Sequence, residues 1–270
     1  EVIVIDNSTV HISKDEIKSS RTFNLLFSPP NRYAGGARNV GIKASKGKWL
    51  IFADADDFFT PNAFDVFLSL CDKEYELIYF KASGLYDDTL KYSDRGEEWS
   101  RIVDDYLSKK ISEQEARLKY VVPWGKMISR DLVSKNNIKF DEVLAANDVM
   151  FSTLCAYKAK SFLAVDEFVY FIIVRKGSLA NRRDIGVIRS RYHVALRRNK
   201  FLREHNMGEF QSSVMYHIFN STKFGFKTFL DFIRLAIHYK QNIFIGFTHW
   251  FKTYIYCKRR DKANINYITK

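Results

Sequence analysis

The sequence predicts an α/β protein whose mostly parallel sheet is covered by helices on both faces and is followed by a helical C-terminal extension. Two observations lead to this prediction. Short apolar, β-rich runs alternate with segments of helical spacing over the first 85 residues, and the residues after Gly186 have helical spacing alone. Strands that alternate with helices along a chain form parallel sheets with helices packed on both faces.

The first four strands and the first three helices follow from the apolar spacing. The predicted strands are EVIVI (1–5), NLLFS (24–28), KWLIFA (48–53) and ELIYFKA (76–82). The predicted helices are AGGARNVGIKAS, PNAFDVFLSLC, whose first turn holds Pro61, and EEWSRIVDDYLSKK. Parallel sheets bind ligands at the carboxyl ends of their strands, and two of these ends are polar, in VIDNST and in ADADD.

A second patterned block continues the sheet domain. It contains the segments VVPWGKMISRDLV, IKFDEVLAANDVMFSTLCAYKA and FVYFIIVRKGS. Beyond this block the pattern is helical, aromatic and basic. We therefore predict two domains, residues 1–184 with the sheet and residues 185–270 as a helical C-terminal region.

Composition excludes several classes of protein. A chain of 270 residues with 46% hydrophobic content has enough apolar material for a folded core. Its three cysteines are widely spaced and form no CxxC pair, so the sequence predicts neither a disulfide framework nor a zinc site and fits a reducing compartment. No run reaches the ~18–20 apolar residues of a spanning helix, and the N-terminus has no signal pattern.

The net charge of +12 lies entirely in the last third of the chain. Residues 185–270 contain 16 Lys and Arg against 4 Asp and Glu, whereas residues 1–184 contain 27 of each sign. Phe, Trp, Tyr and Ile alternate with these cations, as in KFGFKTFLDFIRLAIHYK and NIFIGFTHWFKTYIYCKRRDK. Either an interfacial helix on an anionic membrane or a helical cap that buries its aromatic rings explains this composition. We expect no nucleic-acid partner, since no recognition motif accompanies the charge.

An unusual acid cluster ends the third strand. In LIFADADDFFTP, Asp54, Asp56 and Asp57 lie within four residues. Capping of the next helix would explain one of these acids but not three. Carboxylates so close together repel one another, and bound Mg²⁺ or Mn²⁺, which prefer oxygen ligands, would relieve that repulsion. A haloacid-dehalogenase-type phosphatase also places Asp-x-Asp after an apolar strand, but the Asp57-Phe58 that follows here departs from its pattern.

Four segments together give a resemblance to a known family. EVIVIDNST, GGARNVGIKASKGKWLIFADADDFFTP, PWGKMISRDLV and FDEVLAANDVMF resemble, in order, motifs of the family 2 glycosyltransferases, inverting enzymes with the GT-A nucleotide-sugar fold. The likeness extends over about the first 180 residues and is greatest to bacterial members that build capsular polysaccharides, exopolysaccharides or lipid-linked glycans. Such members begin with a further strand and helix before EVIVID, so the sequence as given resembles a member without that unit.

The resemblance implies roles for the acids at the strand ends. Asp54 matches the acid that meets the nucleotide ribose, and Asp56, with Asp57 close by, matches the ligand of Mn²⁺ or Mg²⁺ on the diphosphate. Asp6 and Asn7 match the pair that contacts the base, with Asn7 in place of the usual second Asp. Arg38, in the segment Ala37-Arg38-Asn39, matches a residue near the diphosphate or these acids, although a solvated helix cation would have the same sequence.

Four later residues complete the implied site. Asp148 matches the catalytic base, and Asn147 precedes it where the family carries Glu. Capping of the helix DVMFSTLCAYK is the alternative role for either residue. Trp124 and Lys126 match a Trp-x-Lys segment that lines the sugar and acceptor cleft, with a core position as the alternative for Trp124.

The resemblance implies a metal-dependent, inverting transfer of a sugar from a UDP-sugar to a glycan or lipid-linked acceptor, in cell-surface polysaccharide or lipid-linked glycan synthesis. Such an enzyme would be cytoplasmic, or peripheral on the cytoplasmic face of a bacterial membrane. The alternative class is a non-enzymatic basic adaptor that binds membrane or nucleic acid through residues 185–270. The acid cluster favours the enzyme, because an adaptor has no use for it.

Overall fold

Strands are interspersed with helices over the described part of the first 175 residues, in agreement with the α/β class that the sequence predicts. The computed structural model describes residues 1–19, 22–175, 178 and 182–245. In chain order the first elements are β1 (Ile3–Asp6), β2 (Asn24–Phe27), α1 (Tyr33–Ala44), β3 (Trp49–Leu50), β4 (Phe58–Phe59), α2 (Ala63–Leu70), β5 (Leu77–Tyr86) and β6 (Tyr92–Ser93). They are followed by α3 (Glu97–Leu107), α4 (Glu113–Lys119), β7 (Lys126–Ser129), α5 (Arg130–Lys135), α6 (Val149–Lys158) and β8 (Phe162–Val174).

The described strands form two sheets. Strands β1 and β2 pair in parallel, and a six-stranded sheet has the order β3-β7-β5-β8-β4 with β6 also paired to β5. The longest pairing, β5 with β8, is parallel, whereas the four short pairings of this sheet are antiparallel. The α/β class is confirmed, and the sheet is mixed in its strand directions, which apolar spacing alone does not specify.

The third predicted strand is much shorter than its apolar run. KWLIFA forms a ladder only at Trp49–Leu50, after which the chain leaves the sheet and reaches the acid-rich turn. The fourth strand instead continues to Tyr86. These differences move the acids off the strand and onto a loop that follows it.

Strand β5 forms the centre of the core. Leu77 and Tyr79 pack in one hydrophobic cluster with Phe151, whereas Ile78 and Phe80 pack in a second cluster with Trp124. Successive residues of a strand point to opposite faces, so an unbroken apolar run is buried on both sides of the sheet.

The chain divides into two compact units. The first consists of Glu1–Val143 with Asn147–Val174, and the second consists of Leu144–Ala146 with the described residues from Arg175 onward. The sequence prediction placed the division near residue 184. In the second unit, α7 (Ile185–Glu204), α8 (Met215–Ser221) and α9 (Phe226–His238) pack around Tyr192, Leu196 and Phe232.

Two further expectations concern the cysteines and the membrane. Cys71 and Cys155 are free thiols, and Cys257 lies outside the described residues. Within the described ranges, no helix combines the length and the apolar character that crossing a bilayer requires. The predicted segment NIFIGFTHWFKTYIYCKRRDK lies almost wholly outside the described residues.

Candidate active site

The acid cluster forms a tight turn that the core holds in place. The Asp57 backbone N–H donates to the Asp54 carbonyl oxygen at 3.1 Å, and the Asp54 N–H donates to the Tyr170 hydroxyl oxygen at 2.8 Å. The Tyr170 hydroxyl in turn donates to Asp57 Oδ2 at 2.9 Å, and the Ile173 N–H donates to Asp57 Oδ1 at 2.8 Å. Strand β8 thus fixes both ends of the turn.

Asp57 has an unusual charge balance. Burial raises the pKa of its carboxyl to about 7, and the neighbouring charges of Asp54 and Asp56 act in the same direction, against the two hydrogen bonds. Such a carboxylate gains stability from any nearby positive charge. The family resemblance places Asp57 at the metal site beside Asp56, and in the structure both Asp57 carboxylate oxygens accept hydrogen bonds from β8.

Arg38 of α1 joins the acid turn to the start of α6. Its guanidinium forms an ion pair with Asp54 Oδ1 through Nη2 and donates to Asn147 Oδ1 through Nη1 at 2.7 Å. The residues that the resemblance brought together, Arg38, Asp54, Asn147 and Asp148, therefore lie side by side although they are far apart in sequence. A solvated position for Arg38 is excluded by this geometry.

Asp148 lies directly before α6, at the N-cap position, but its side chain does not cap the helix. The helix has no side-chain capping hydrogen bond from Asp148, whose carboxyl is half-buried. Burial raises the pKa of this carboxyl, while the positive charges of Arg38 and Lys126 oppose the shift. A carboxylate of raised pKa that is not used as a cap is suited to accept a proton.

Asp6 organises the loop that follows β1. Its carboxylate accepts hydrogen bonds from the Ser8 N–H at 2.8 Å, the Ser8 hydroxyl at 2.6 Å and the Ile12 N–H at 3.0 Å, and His11 Nδ1 lies 3.1 Å away. These hydrogen bonds lower the pKa of Asp6. Asn7 follows, half-buried, at the same strand end.

Trp124 and Lys126 require a correction, because both side chains lie in the core and not in an open cleft. The Trp124 ring is 4% exposed and stacks on Tyr170 at 5.5 Å between centroids. Lys126 is 1% exposed, and its ammonium donates to the Tyr120 carbonyl oxygen at 2.5 Å and lies over the Tyr79 ring. Burial lowers the pKa of Lys126 to about 7. Trp124 therefore supports the acid turn indirectly, because it stacks on Tyr170, whose hydroxyl contacts Asp54 and Asp57.

The acid turn has the chemistry of a partial cation site. In the part of the chain that the structure describes, no three acidic, histidine or cysteine side chains converge as a full set of metal ligands. Carboxylate oxygens are nevertheless the donors that Mg²⁺ and Mn²⁺ prefer. Burial raises the pKa of Asp57, and the nearby charges of Asp54 and Asp56 raise it further, so a cation would stabilise the ionised carboxylates of the turn. The carboxylates of the turn therefore fit a divalent cation that takes its remaining ligands from a bound molecule.

Several residues that support the site have contacts that the sequence does not predict. Tyr170 lies in an aromatic run that carries no sign of its contact with the acids. Asn39, Arg32 and Glu142 hold the loop before α6 against α1. Arg32, Gly35 and Asn39 are spaced by three and four residues. This helical spacing predicts that they share one face of α1, but it does not predict which segment packs against that face.

The fold and the site together define an α/β protein in which acidic side chains follow the strand ends and lie beside Asp148, a carboxyl group of raised pKa. The Glycosyl transferase family 2 profile matches residues 1–136, half of the chain. The chain therefore belongs to glycosyl transferase family 2, and this membership removes the phosphatase alternative.

Individual relatives agree with the family. An uncharacterized glycosyltransferase of Escherichia coli, YibD, is 28% identical over 63% of this chain and 52% of its own length. The cholesterol galactosyltransferase of Borreliella burgdorferi is 25% identical over 67% of this chain and 54% of its own length. The chain thus spans about half the length of these curated relatives.

The solved structures support the GT-A fold. The crystal structure of Staphylococcus aureus TarS 1-349 in complex with UDP-GlcNAc superposes with a TM-score of 0.54 and 17% identity, over 88% of this chain and 64% of that one. The TarS 1-349 complex with UDP gives a TM-score of 0.53, over 92% of this chain. At this identity the likeness concerns the fold.

Proposed function

We propose that this protein transfers a sugar from a nucleoside-diphosphate sugar, of the UDP-sugar class, to an acceptor hydroxyl with inversion at the anomeric carbon. The observation that carries the proposal is the bridge from Asp54 through Arg38 to Asn147, beside Asp148. It couples an acid turn suited to a phosphate-bearing donor to a carboxylate suited to activate an acceptor. Family membership and the UDP-GlcNAc complex of TarS support the same class of donor.

Asp148 acts as the general base in this proposal. The acceptor hydroxyl gives its proton to the Asp148 carboxylate as its oxygen attacks the anomeric carbon. The bond from that carbon to the diphosphate oxygen breaks, and the diphosphate leaves with the electron pair. Attack from the side opposite the leaving group inverts the configuration, and the raised pKa of Asp148 makes its carboxylate a stronger base than an exposed Asp.

The donor lies along the strand ends in this proposal. Asp6 and Asn7 contact the base, Asp54 meets the ribose, and Arg38 contributes positive charge near the diphosphate. Asp56, with Asp57 close by, would hold Mn²⁺ or Mg²⁺, which when bound would neutralise charge on the leaving diphosphate.

We expect Asp56→Asn to remove stimulation of transfer by Mn²⁺ while the circular dichroism spectrum is unchanged.

The acceptor is a glycan or a lipid-linked glycan, and the second unit supports the lipid-linked form. On α9, Phe226, Leu230, Arg234 and Ile237 are spaced by four, four and three residues and so share one face. Phe226 is 72% and Ile237 69% exposed, and Lys227 lies beside them. Exposed rings and cations together are typical of a helix on an anionic leaflet. We propose that α9 docks at such a surface, where lipid-linked acceptors are displayed.

The test is a transfer assay with a panel of nucleotide sugars, with and without Mn²⁺. We expect release of UDP from one UDP-sugar to require an added acceptor, and NMR of the product to show the anomeric configuration opposite to the donor's. A panel that gives no transfer would contradict the proposed function. Retention of configuration would contradict the single displacement and the role of Asp148.

A further inference from the structure

One face of α1 holds the loop that leads into α6. Arg32, Gly35 and Asn39 follow one another at spacings of three and four residues and therefore lie on the same side of the helix and its leading turn. Arg32 forms an ion pair with Glu142, with Nε donating to Oε2 at 2.8 Å. Gly35 lies so close to this loop that an added Cβ would be 1.9 Å from the Asp141 carbonyl oxygen.

Asn39 makes the most specific of these contacts. Its Nδ2 donates to the Phe140 carbonyl oxygen at 3.0 Å, and the Phe140 N–H donates to its Oδ1 at 2.8 Å. A side-chain amide that pairs with both backbone groups of one residue fixes the position and the orientation of that residue. A neutral side chain with one donor and one acceptor is needed for this pairing.

The position of Phe140 is passed on to the start of α6. The Phe140 ring stacks on Phe151 of α6 with centroids 3.8 Å apart. The Asp141 N–H donates to the Asn147 carbonyl oxygen at 3.1 Å, which joins the two ends of the segment 141–147. Asp148 is the next residue, so few backbone torsions separate its carboxylate from these fixed points.

We propose that Asn39 is a positioning residue that holds Asp148 in place through the backbone of Phe140, without itself contacting the substrate. This inference rests on the proposed function, in which Asp148 is the general base. Proton transfer requires the base within hydrogen-bond reach of the acceptor hydroxyl, and a misplacement of about 1 Å costs up to ~100-fold in rate. The family resemblance implies a place near the diphosphate for Arg38, the residue before Asn39, whereas the Asn39 side chain contacts the loop.

The substitution Asn39→Asp tests the pairing with little change in side-chain size. The Phe140 N–H keeps an acceptor, but the Phe140 carbonyl oxygen then faces a carboxylate oxygen instead of a donor. We expect kcat to fall between ~10- and ~100-fold, and the KM for the UDP-sugar to change by less than about twofold. The acid limb of the pH profile of kcat should also shift, because the surroundings of the Asp148 carboxyl change.

Asn136→Asp is the matched control. Asn136 Nδ2 donates to the Leu132 carbonyl oxygen at 2.8 Å, so this variant also removes an amide donor from a backbone carbonyl but leaves α1 untouched. We expect wild-type kcat and an unchanged pH profile. Both variants are assayed below their melting temperatures, and Asn39→Ser replaces Asn39→Asp if the latter does not fold.

Hydrogen exchange separates this inference from the proposed function. Backbone amides of residues 140–148 should exchange faster in Asn39→Asp than in wild type or Asn136→Asp. Unchanged exchange, unchanged kcat, or a rise in KM alone would overturn the inference. If wild type transfers no sugar, the proposed function fails, and the exchange measurement still determines whether Asn39 holds the loop.

Discussion

Two aspartates at helix starts show how local hydrogen bonding separates a structural carboxylate from a reactive one. Asp184 caps α7 by accepting from the Val187 N–H at 3.1 Å, and this bond lowers the pKa of its carboxyl. Asp148 occupies the corresponding position before α6 but makes no side-chain capping bond, and burial raises the pKa of its carboxyl. The same residue type therefore stabilises a helix in one place and is suited to accept a proton in the other.

Asp148→Asn should lower kcat by ~100-fold or more and leave the affinity for the UDP-sugar nearly unchanged, because only the proton acceptor is lost. Single-turnover kinetics and equilibrium binding of the donor measure the two effects. Asp184→Asn, the same change at another helix start, is the control and should keep wild-type kcat. A change confined to KM would mean that the base lies elsewhere.

Asp57 makes stability depend on pH. Its pKa is about 7 in the folded state and about 3.9 in an unfolded chain, so the folded protein binds the additional proton between these values. The stability contributed by this group is present below pH 4 and is lost as the pH rises through 7. We expect the Tm in EDTA to decline more steeply from pH 5 to 8 in wild type than in Asp57→Asn.

Asp72→Asn, at an exposed position, should leave the wild-type slope unchanged and serves as the control. Addition of Mn²⁺ at pH 8 should raise the Tm of wild type, since a cation beside the turn offsets the repulsion. Equal slopes in wild type and Asp57→Asn would show that Asp57 is ionised in the folded protein over this range.

At the scale of the element, α1 is the part of the fold that brings the site together. Its Arg38 reaches Asp54 and Asn147, and its Asn39 pairs with Phe140. Two glycines of this helix, Gly35 and Gly41, have different surroundings. Gly35 allows close approach of the Asp141 carbonyl, whereas an added Cβ at Gly41 would make an ordinary contact at 3.6 Å with Ile5.

Gly35→Ala and Gly41→Ala therefore should have opposite effects on the free energy of unfolding. Gly35→Ala forces α1 and the Asp141 backbone apart, and should lower the free energy of unfolding by about 2 kcal/mol and also lower kcat. Gly41→Ala should raise the free energy of unfolding by roughly 0.5–1 kcal/mol, since glycine is unfavourable inside a helix. Urea denaturation with both variants measures the difference, and equal effects would show that the loop tolerates displacement.

At the scale of the whole molecule, charge and apolar exposure are unevenly distributed. The first 184 residues are balanced in charge, and the excess of +12 follows them. In the second unit, the α9 face displays Phe226 and Ile237 among cations. The first unit has comparably exposed side chains on α2, Phe64 at 58% and Leu68 at 67%, in a balanced region of the chain.

The full chain should sediment with anionic vesicles at low salt and less so at high salt or with neutral vesicles, because each cation near the surface contributes ~1 kcal/mol and is screened. Phe226→Ser with Ile237→Ser should weaken this binding by ~10-fold or more. The double variant Phe64→Ser with Leu68→Ser is the matched control and should bind anionic vesicles as wild type does. Equal sedimentation of all three proteins would remove the support for a membrane-borne acceptor.

Several features could be predicted from the sequence because they depend on neighbouring residues. The spacing of apolar side chains predicted the α/β class and the bounds of β1, β2, α1 and α3 to within a few residues. The polar strand ends predicted where Asp6 and the acid turn lie. Motifs in a fixed order identified the family, and burial on both faces of β5 followed from its unbroken apolar run.

Other features depend on pairs of residues that no local pattern links, and only the tertiary structure decided them. Asn39 and Phe140 are 101 positions apart in the chain, and Asp57 and Tyr170 are 113 apart. Strand direction in the mixed sheet and the burial of Lys126 depend in the same way on which elements become neighbours. A side chain's type limits what it can donate or accept, but its partner is determined when packing of the whole core brings distant segments together.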